Sequence, residues 1–404
     1  MPNKRDISHF NVIDWNFTKE DSRHFLHNFC WYPSRYIPII PAHLIQSLSK
    51  ENETVLDPFC GSGTTIIEAL KLKRNAIGID INPVGTFIAE IKAKMMTGKV
   101  LHINKVTEFI GYLDSQLSEL QDGDNILFIK KKNPTFLTDD LMPNFREKSE
   151  WYHPATLQML GDIHHYIESK LTGLTKDICR IFFISILMNS SGYPKEKNYA
   201  YYADNVKPQG EKTFKNAYKL YHRKLEKFLA DYAVFREQSF FKNSYRVLRG
   251  DARKVSSLLD ESIDLIVTSP PYLNVTDYTT AFRLTYLWYD FLSDQELKDV
   301  KKLEIGARWK RKQESKLSDY VEEMDRALTE ISGSLKKNRY LCLILGESKK
   351  YSENVNTRII EILTKKLNHE LIDTFTRDIS KKFFIHPNGG GVQTEEILIF
   401  RKRG

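Results

Sequence analysis

The chain has 404 residues, 41% of them hydrophobic, enough for one large core or two modest ones. No apolar run reaches the ~20 residues of a membrane span, and the opening MPNKRDISHFN lacks the charged-then-apolar order of a signal peptide. Cys30, Cys60, Cys179 and Cys342 are too scattered for a zinc knuckle or a disulfide framework, so a reducing cytoplasm is expected, and a formal charge of +8 permits a polyanionic partner without requiring one.

Residues 1–50 are rich in aromatics, and HNFCWYPSRYIPIIPAHLI (27–45) reads as a packed N-terminal arm over one edge of the core. Thr54–Asp57 predicts a first strand. Cys60-Gly61-Ser62-Gly63 is a tight turn, and Thr64–Leu72 has helical period. Glycines there let backbone approach a ligand closely, and the helix start offers free N–H groups. The turn is neither GxGxxG nor a phosphate loop with Lys-Ser/Thr, which argues against NAD and ATP. Cys60 reads as a small packing residue. Ala76–Asp80 predicts a second strand ending in an acid, where open α/β sheets hold a ribose diol, and Asn82-Pro83 opens the next helix.

From 98 to 244 the pattern is mainly helical, an insertion between the second and third strands. DICRIFFISILMNSS is apolar all round and is expected to bury itself in a small core of the insertion's own. His164 and His165 are adjacent, so they face different ways, and packing or surface roles are expected rather than a metal. Within 192–228, lysines and arginines alternate with tyrosines, a mix that neutralises phosphates and stacks on bases.

Tyr245–Ala252 predicts the third strand and its turn, with Asp251 at the carboxyl end. Ile263–Val267 is a short, β-branched apolar run, the pattern of a buried parallel strand. Pro270 and Pro271 cannot continue a ladder, so the backbone leaves the sheet at Thr268-Ser269. Ser269, the Pro270 carbonyl and the Tyr272 ring then stand in one stiff turn past a strand end, suited to a planar amine. A second basic run at 298–316 suggests a mobile loop that orders on DNA. Tyr340–Gly346 predicts the fifth strand, 355–367 a helix, and 370–377 with 394–401 a closing antiparallel pair.

Two motifs carry a resemblance. Ser269-Pro270-Pro271-Tyr272 looks like the catalytic motif of the S-adenosylmethionine-dependent DNA amino methyltransferases, which act on cytosine N4 or adenine N6. Asp57-Pro58-Phe59-Cys60-Gly61-Ser62-Gly63-Thr64 resembles the cofactor motif of the same family. The resemblance covers 27–97 and 245–401 and implies a Rossmann-like α/β catalytic domain of seven strands, one reversed, from 1–97 and 245–404, with 98–244 as a candidate DNA-recognition region. The position of that insertion departs from the family, which places its long insertion between the third and fourth strands.

The resemblance also implies roles. Ser34 and Arg35 would meet the cofactor's carboxylate and Asp57 its ammonium. Pro58, Phe59, Gly61, Ser62, Gly63 and Thr64 would form its cradle, Asp80 and Ile81 would hold the ribose, and Asp251 with Ala252 the adenine. A target nucleotide would flip into the pocket, as chemistry on a base requires. Tyr272 would stack on it, and Ser269 with the Pro270 carbonyl would accept from its amino group, a displacement that needs no metal. Ser at the first motif position resembles the N4-cytosine enzymes more often than the N6-adenine ones. The expected partners are double-stranded DNA, met by 192–228 and 298–316, and a cognate restriction nuclease, in restriction-modification or phage defence. An RNA guanine-N2 methyltransferase, a non-catalytic DNA-binding subunit and a small-molecule methyltransferase are the alternatives. The first typically carries Asp-Pro-Pro-Tyr instead.

Overall fold

The structure is a computed structural model, and it describes residues 8–17, 25–121, 148–191, 212–237, 241–260, 262–307, 310, 317–347, 355–379 and 394–404. Seven strands form one sheet: β1 Thr54–Asp57, β2 Asn75–Asp80, β3 Tyr245–Arg249, β4 Ile263–Thr268, β5 Leu335–Glu347, β6 His369–Asp378 and β7 Thr394–Lys402. Their order is β3-β2-β1-β4-β5-β7-β6, parallel except for β7, which runs antiparallel to both neighbours. The sheet is the expected one, with each predicted strand within a few residues of its place; β5 begins earlier than its apolar run.

Both faces are buried, and the side-chain alternation sorts them. Val55, Leu265, Cys342, Ile344, Ile397 and Ile399 face one core, while Leu56, Ile266, Leu341, Leu343, Leu398 and Phe400 face the other. Helices α1 (Ile39–Leu48), α2 (Thr64–Lys71) and α3 (Pro83–Met96) cover the first face.

The insertion supplies α4 (Ile103–Gln121), α5 (Pro154–Lys170), α6 (Gly173–Ser190) and α7 (Ala217–Phe235). Their core is not separate, contrary to the expectation from sequence. Helix α6 is apolar all round because it has two neighbours to satisfy. Tyr221 of α7 donates to the Cys179 carbonyl on one side, while Phe182 meets Phe29 at 5.0 Å and Phe183 meets Trp288 at 5.0 Å on the other. One apolar cluster therefore runs from the sheet through the insertion. His164 packs in it, against Phe183, Trp288 and Tyr289, and burial drives its pKa down to about 4.

Four further helices follow: α8 (Tyr278–Ala281), α9 (Arg283–Trp288), α10 (Asp294–Leu303) and α11 (Leu317–Ser334), then α12 (Val355–Glu361) before the closing hairpin. Helix α11 packs on the second face. Strands β1 and β4 are central neighbours, paired Val55 to Leu265 and Leu56 to Ile266. The chain leaves β1 toward β2 on one side and returns at β4 on the other, which opens a crevice at their carboxyl ends.

Candidate active site

The turn after β1 is built by backbone. Gly63 caps α2 at φ 84°, a left-handed conformation, and a Cβ there would lie 2.8 Å from the Ala89 Cβ. Cys60 N–H donates to the Ile79 carbonyl at 3.0 Å and Gly61 N–H to Asp80 Oδ2 at 2.7 Å, so the turn hangs on the end of β2. Lys92, fully buried on α3, donates to the Ser62 carbonyl at 3.0 Å. Burial and the nearby Arg35 bring its pKa down to about 7.

Asp57 lies beneath this turn. It accepts from Thr65 Oγ1 at 2.5 Å, Thr268 Oγ1 at 2.6 Å and Phe59 N–H at 3.1 Å, stapling β1 to the end of β4. Burial pushes its carboxyl up to about 6 against these hydrogen bonds.

Above the turn is a cleft open to solvent. All the expected cofactor residues line it except Asp57 and Gly63: Ser34, Arg35, Pro58, Phe59, Gly61, Ser62, Thr64, Asp80, Ile81, Asp251 and Ala252. Ser34, at φ 54°, is tied to Thr276 Oγ1 at 2.7 Å, and Arg35 donates to the His27 carbonyl. Asp80 accepts from Gly61 and Asn82 N–H groups, and burial raises its carboxyl to about 6. Asp251 is gripped by Arg253, 2.7 Å from Oδ2, which holds its carboxyl below the usual range despite burial.

These residues fit S-adenosylmethionine. Ser62 Oγ, Asn82 Nδ2 and Glu304 Oε2 are buried with no hydrogen-bond partner among the described residues, and all three residues line the cleft. Orphaned polar atoms are costly, and a ligand with a nucleoside and an amino-acid end would satisfy them. The Gly61 position is crowded for the same cradle: a Cβ would sit 2.9 Å from Tyr32 Cε1.

The turn after β4 contributes Ser269 and Pro271 to the cleft wall; Pro270 and Tyr272 do not line it. Tyr272 instead borders a smaller hollow with Tyr320, Leu345 and Asn356. Its hydroxyl donates to Glu395 Oε1 at 3.0 Å and meets Ser269 Oγ at 3.2 Å. Glu395, on β7, pairs with buried Arg377 of β6 at 3.3 Å. Tyr320 donates to the Pro271 carbonyl at 3.0 Å, fixing the turn from α11. Of the polar residues just beyond it, Tyr278 lines the cleft, whereas Arg283 lies over the Trp151 ring at 5.4 Å.

Sequence reasoning missed one wall. Leu303, Glu304 and Ile305 line the cleft, within the basic run expected to be a mobile DNA loop. Residues 294–303 are instead helix α10, opened by a Ser293–Glu296 capping box, and 304–307 are buried. The apolar Leu303 and Ile305 around Glu304 were the available signal, outweighed by the lysines before them. Of the other basic region, 192–211 lies outside the described residues, and 217–228 begins α7.

Residues 32–90, which hold part of the N-terminal arm, the glycine turn and Asp80, match the N6/N4 methyltransferase sequence family, described as a DNA methylase. The type II methyltransferase M.MjaII of Methanocaldococcus jannaschii is 21% identical over 91% of this chain and 81% of its own length. The type II methyltransferase M.BsoBI of Geobacillus stearothermophilus is 23% identical over 78% of this chain and 62% of its own length. A third, M.MjaI of the same archaeon, is 54% identical over 43 residues, 11% of this chain and 14% of its own.

Proposed function

We propose that this chain is an S-adenosylmethionine-dependent amino DNA methyltransferase that methylates the exocyclic N4 of a flipped-out cytosine at a specific DNA site. The observation that carries this reading is the meeting of two turns. Ser269 and Pro271, past β4, face the same cleft as the glycine turn, Asp80 and Asp251, past β1, β2 and β3.

Bound in that cleft, S-adenosylmethionine supplies a methyl group on a positively charged sulfur. The chain's part is position and electrostatics. Asp80 is held by two backbone N–H groups with its carboxyl on the cleft wall, a fixed acceptor for the ribose hydroxyls. Ser34, Arg35, Asp251 and Ala252 line the same cleft, and in this reading the first two meet the cofactor's carboxylate and the last two its adenine. Ser269 Oγ and the Pro270 carbonyl accept the two N–H bonds of the target amine. That keeps its lone pair out of the ring conjugation and free to attack.

Tyr272 is the stacking partner of the base in this reading. Its hydroxyl is tied to Glu395, so stacking from the cleft side requires the ring to leave that contact. Cytosine is favoured over adenine because Ser269 stands where the N4-cytosine enzymes more often carry Ser. The basic face of α7 and the lysines of α10 are the proposed DNA contacts from 192–228 and 298–316. Restriction-modification or phage defence in the cytoplasm, beside a cognate nuclease, is the proposed setting, because the relatives above are named type II methyltransferases.

The test is to incubate the protein with methyl-labelled S-adenosylmethionine and mixed-sequence duplex DNA, then digest to nucleosides. N4-methylcytosine is expected. N6-methyladenine would overturn the choice of base, and label in transfer RNA but not DNA would overturn the substrate.

A further inference from the structure

Residues 303–306 form a strap across the cleft, pinned at both ends. At one end Arg253, which grips Asp251, also donates to the Leu303 carbonyl at 2.9 Å. At the other, Asn274 N–H, just past the Ser-Pro-Pro-Tyr turn, donates to the Gly306 carbonyl at 2.8 Å. Gly306 (φ 63°) is pressed there, since a Cβ would lie 2.9 Å from the Tyr320 ring and 3.3 Å from the Leu273 Cα. The strap is therefore a fixed wall.

Glu304 stands in the middle of it, 4% exposed. Its Oε1 accepts from the N–H of Thr279 at 2.5 Å and from the Thr279 hydroxyl, at the start of α8. That contact explains one oxygen only. Oε2 is buried, has no partner among the described residues, and belongs to a residue that lines the cleft. Capping a four-residue helix needs a single acceptor, and a Gln or Ser would serve. Leaving a second carboxyl oxygen buried and unmatched costs free energy unless a ligand uses it.

The surroundings say which part of the ligand. Tyr286 feels the charge of both Glu304 and Asp80, and its hydroxyl donates to Asn82 Oδ1. Asn82 Oδ1 also caps α3 through the N–H groups of Val84 and Gly85, leaving Nδ2 as another orphan of the cleft. Glu304 thus shares the Asp80–Asn82 end of the cleft. Burial, with Asp277 adding to it, raises its carboxyl to about 8 against the Thr279 hydrogen bonds and Lys301, so a proton is available on the orphan oxygen near neutrality.

We propose that Glu304 is a cofactor-binding residue whose Oε2 hydrogen-bonds a ribose hydroxyl of S-adenosylmethionine, opposite Asp80. The proposal rests on the methyltransferase reading, and it gives the strap a ligand role of its own beside the lysines of α10. The same oxygen facing the target base is the outcome that would overturn it.

The experiment is calorimetric titration with S-adenosylhomocysteine, without DNA. Failure of the wild-type protein to bind would undo the methyltransferase reading itself. Given binding, Glu304→Met, which fills the volume but removes both oxygens, is expected to weaken affinity roughly fivefold to tenfold. Glu304→Gln, which keeps the Thr279 contact and offers an N–H where Oε2 stands, stays within about twofold. Thr279→Val also stays within about twofold, and a loss equal to that of Glu304→Met would mean that Glu304 acts only through the helix. A 2′,3′-dideoxy analogue is expected to bind wild type and Glu304→Met alike, since the coupling is to the hydroxyls. Equal weakening of both ligands, or unchanged cofactor affinity with a raised KM for DNA, would overturn the assignment. Should Glu304→Met fail to fold, amide hydrogen exchange on the wild type decides. Slower exchange at 303–306 on adding S-adenosylhomocysteine is expected, and none would refute the contact.

Discussion

The turns after β1 and β4 stand on adjacent strands and face one cleft, yet they are held in different ways. The first is a backbone construction. Its glycines, its N–H bonds to Ile79 and Asp80, and the buried Lys92 leave little for side chains to adjust. The second is held by side chains from three other elements: Tyr320 on the Pro271 carbonyl, Glu395 on Tyr272, and Arg377 behind Glu395. A backbone turn has one geometry and suits a cofactor of constant shape. A turn held by side-chain hydroxyl contacts, each worth about 1 kcal/mol, can release one of them when a base arrives.

The sharpest way to break this contrast is at Gly63. Gly63→Ala combines a left-handed backbone with a Cβ pressed on Ala89, and the expected cost is about 2–4 kcal/mol of stability with cofactor binding lost. Thermal unfolding and calorimetry would measure both, and wild-type affinity would refute the rigid-cradle account.

The β4 turn should answer differently. Tyr272→Ala is expected to reduce methyl transfer about a hundredfold while cofactor affinity stays within about twofold. Tyr272→Phe keeps the ring and loses only the tie to Glu395 and Ser269, so a loss under about tenfold is expected. Equal losses in the two variants, read by single-turnover transfer, would make the hydroxyl rather than the ring the important group.

The mildest effect is in pH. In its proposed role Asp80 would accept ribose hydroxyls best when ionised, and burial has raised its carboxyl to about 6. The ionised fraction grows as pH rises through that value, so cofactor affinity should climb between pH 5 and pH 7, by up to about tenfold. Asp80→Ala should bind more weakly and flatten that rise in calorimetry. A slope surviving the substitution would assign the titration to another group, with Asp57, raised to about 6 by its own burial, the first suspect.

The sheet and most of the cleft were legible in the sequence because their signals are local. A two-faced apolar strand such as Ile263–Thr268, a glycine turn before a helix, and an acid at the end of β2 each declare themselves within a few residues. Asp57 was legible as a strand-end acid but not as a staple, because its partners Thr65 and Thr268 come from two other elements. The strap escaped notice because its four residues, Leu303 to Gly306, sit inside a run whose lysines and arginines dominate the pattern. The shared core of the insertion escaped because an apolar helix does not state which neighbours cover it.

By itself, then, the order of residues determined the strands, the two turns and the chemistry they point to, since backbone preference and apolar period act at short range. Tertiary structure alone decided which carboxyls reach the cleft and which are consumed beneath it. It also brought Glu304, 36 positions past the end of β4 at Thr268, into the same wall as Asp80, and linked Tyr272 to a strand 123 residues away. Those choices depend on which elements pack together, and hydrogen bonds between distant segments form only after the sheet has placed them.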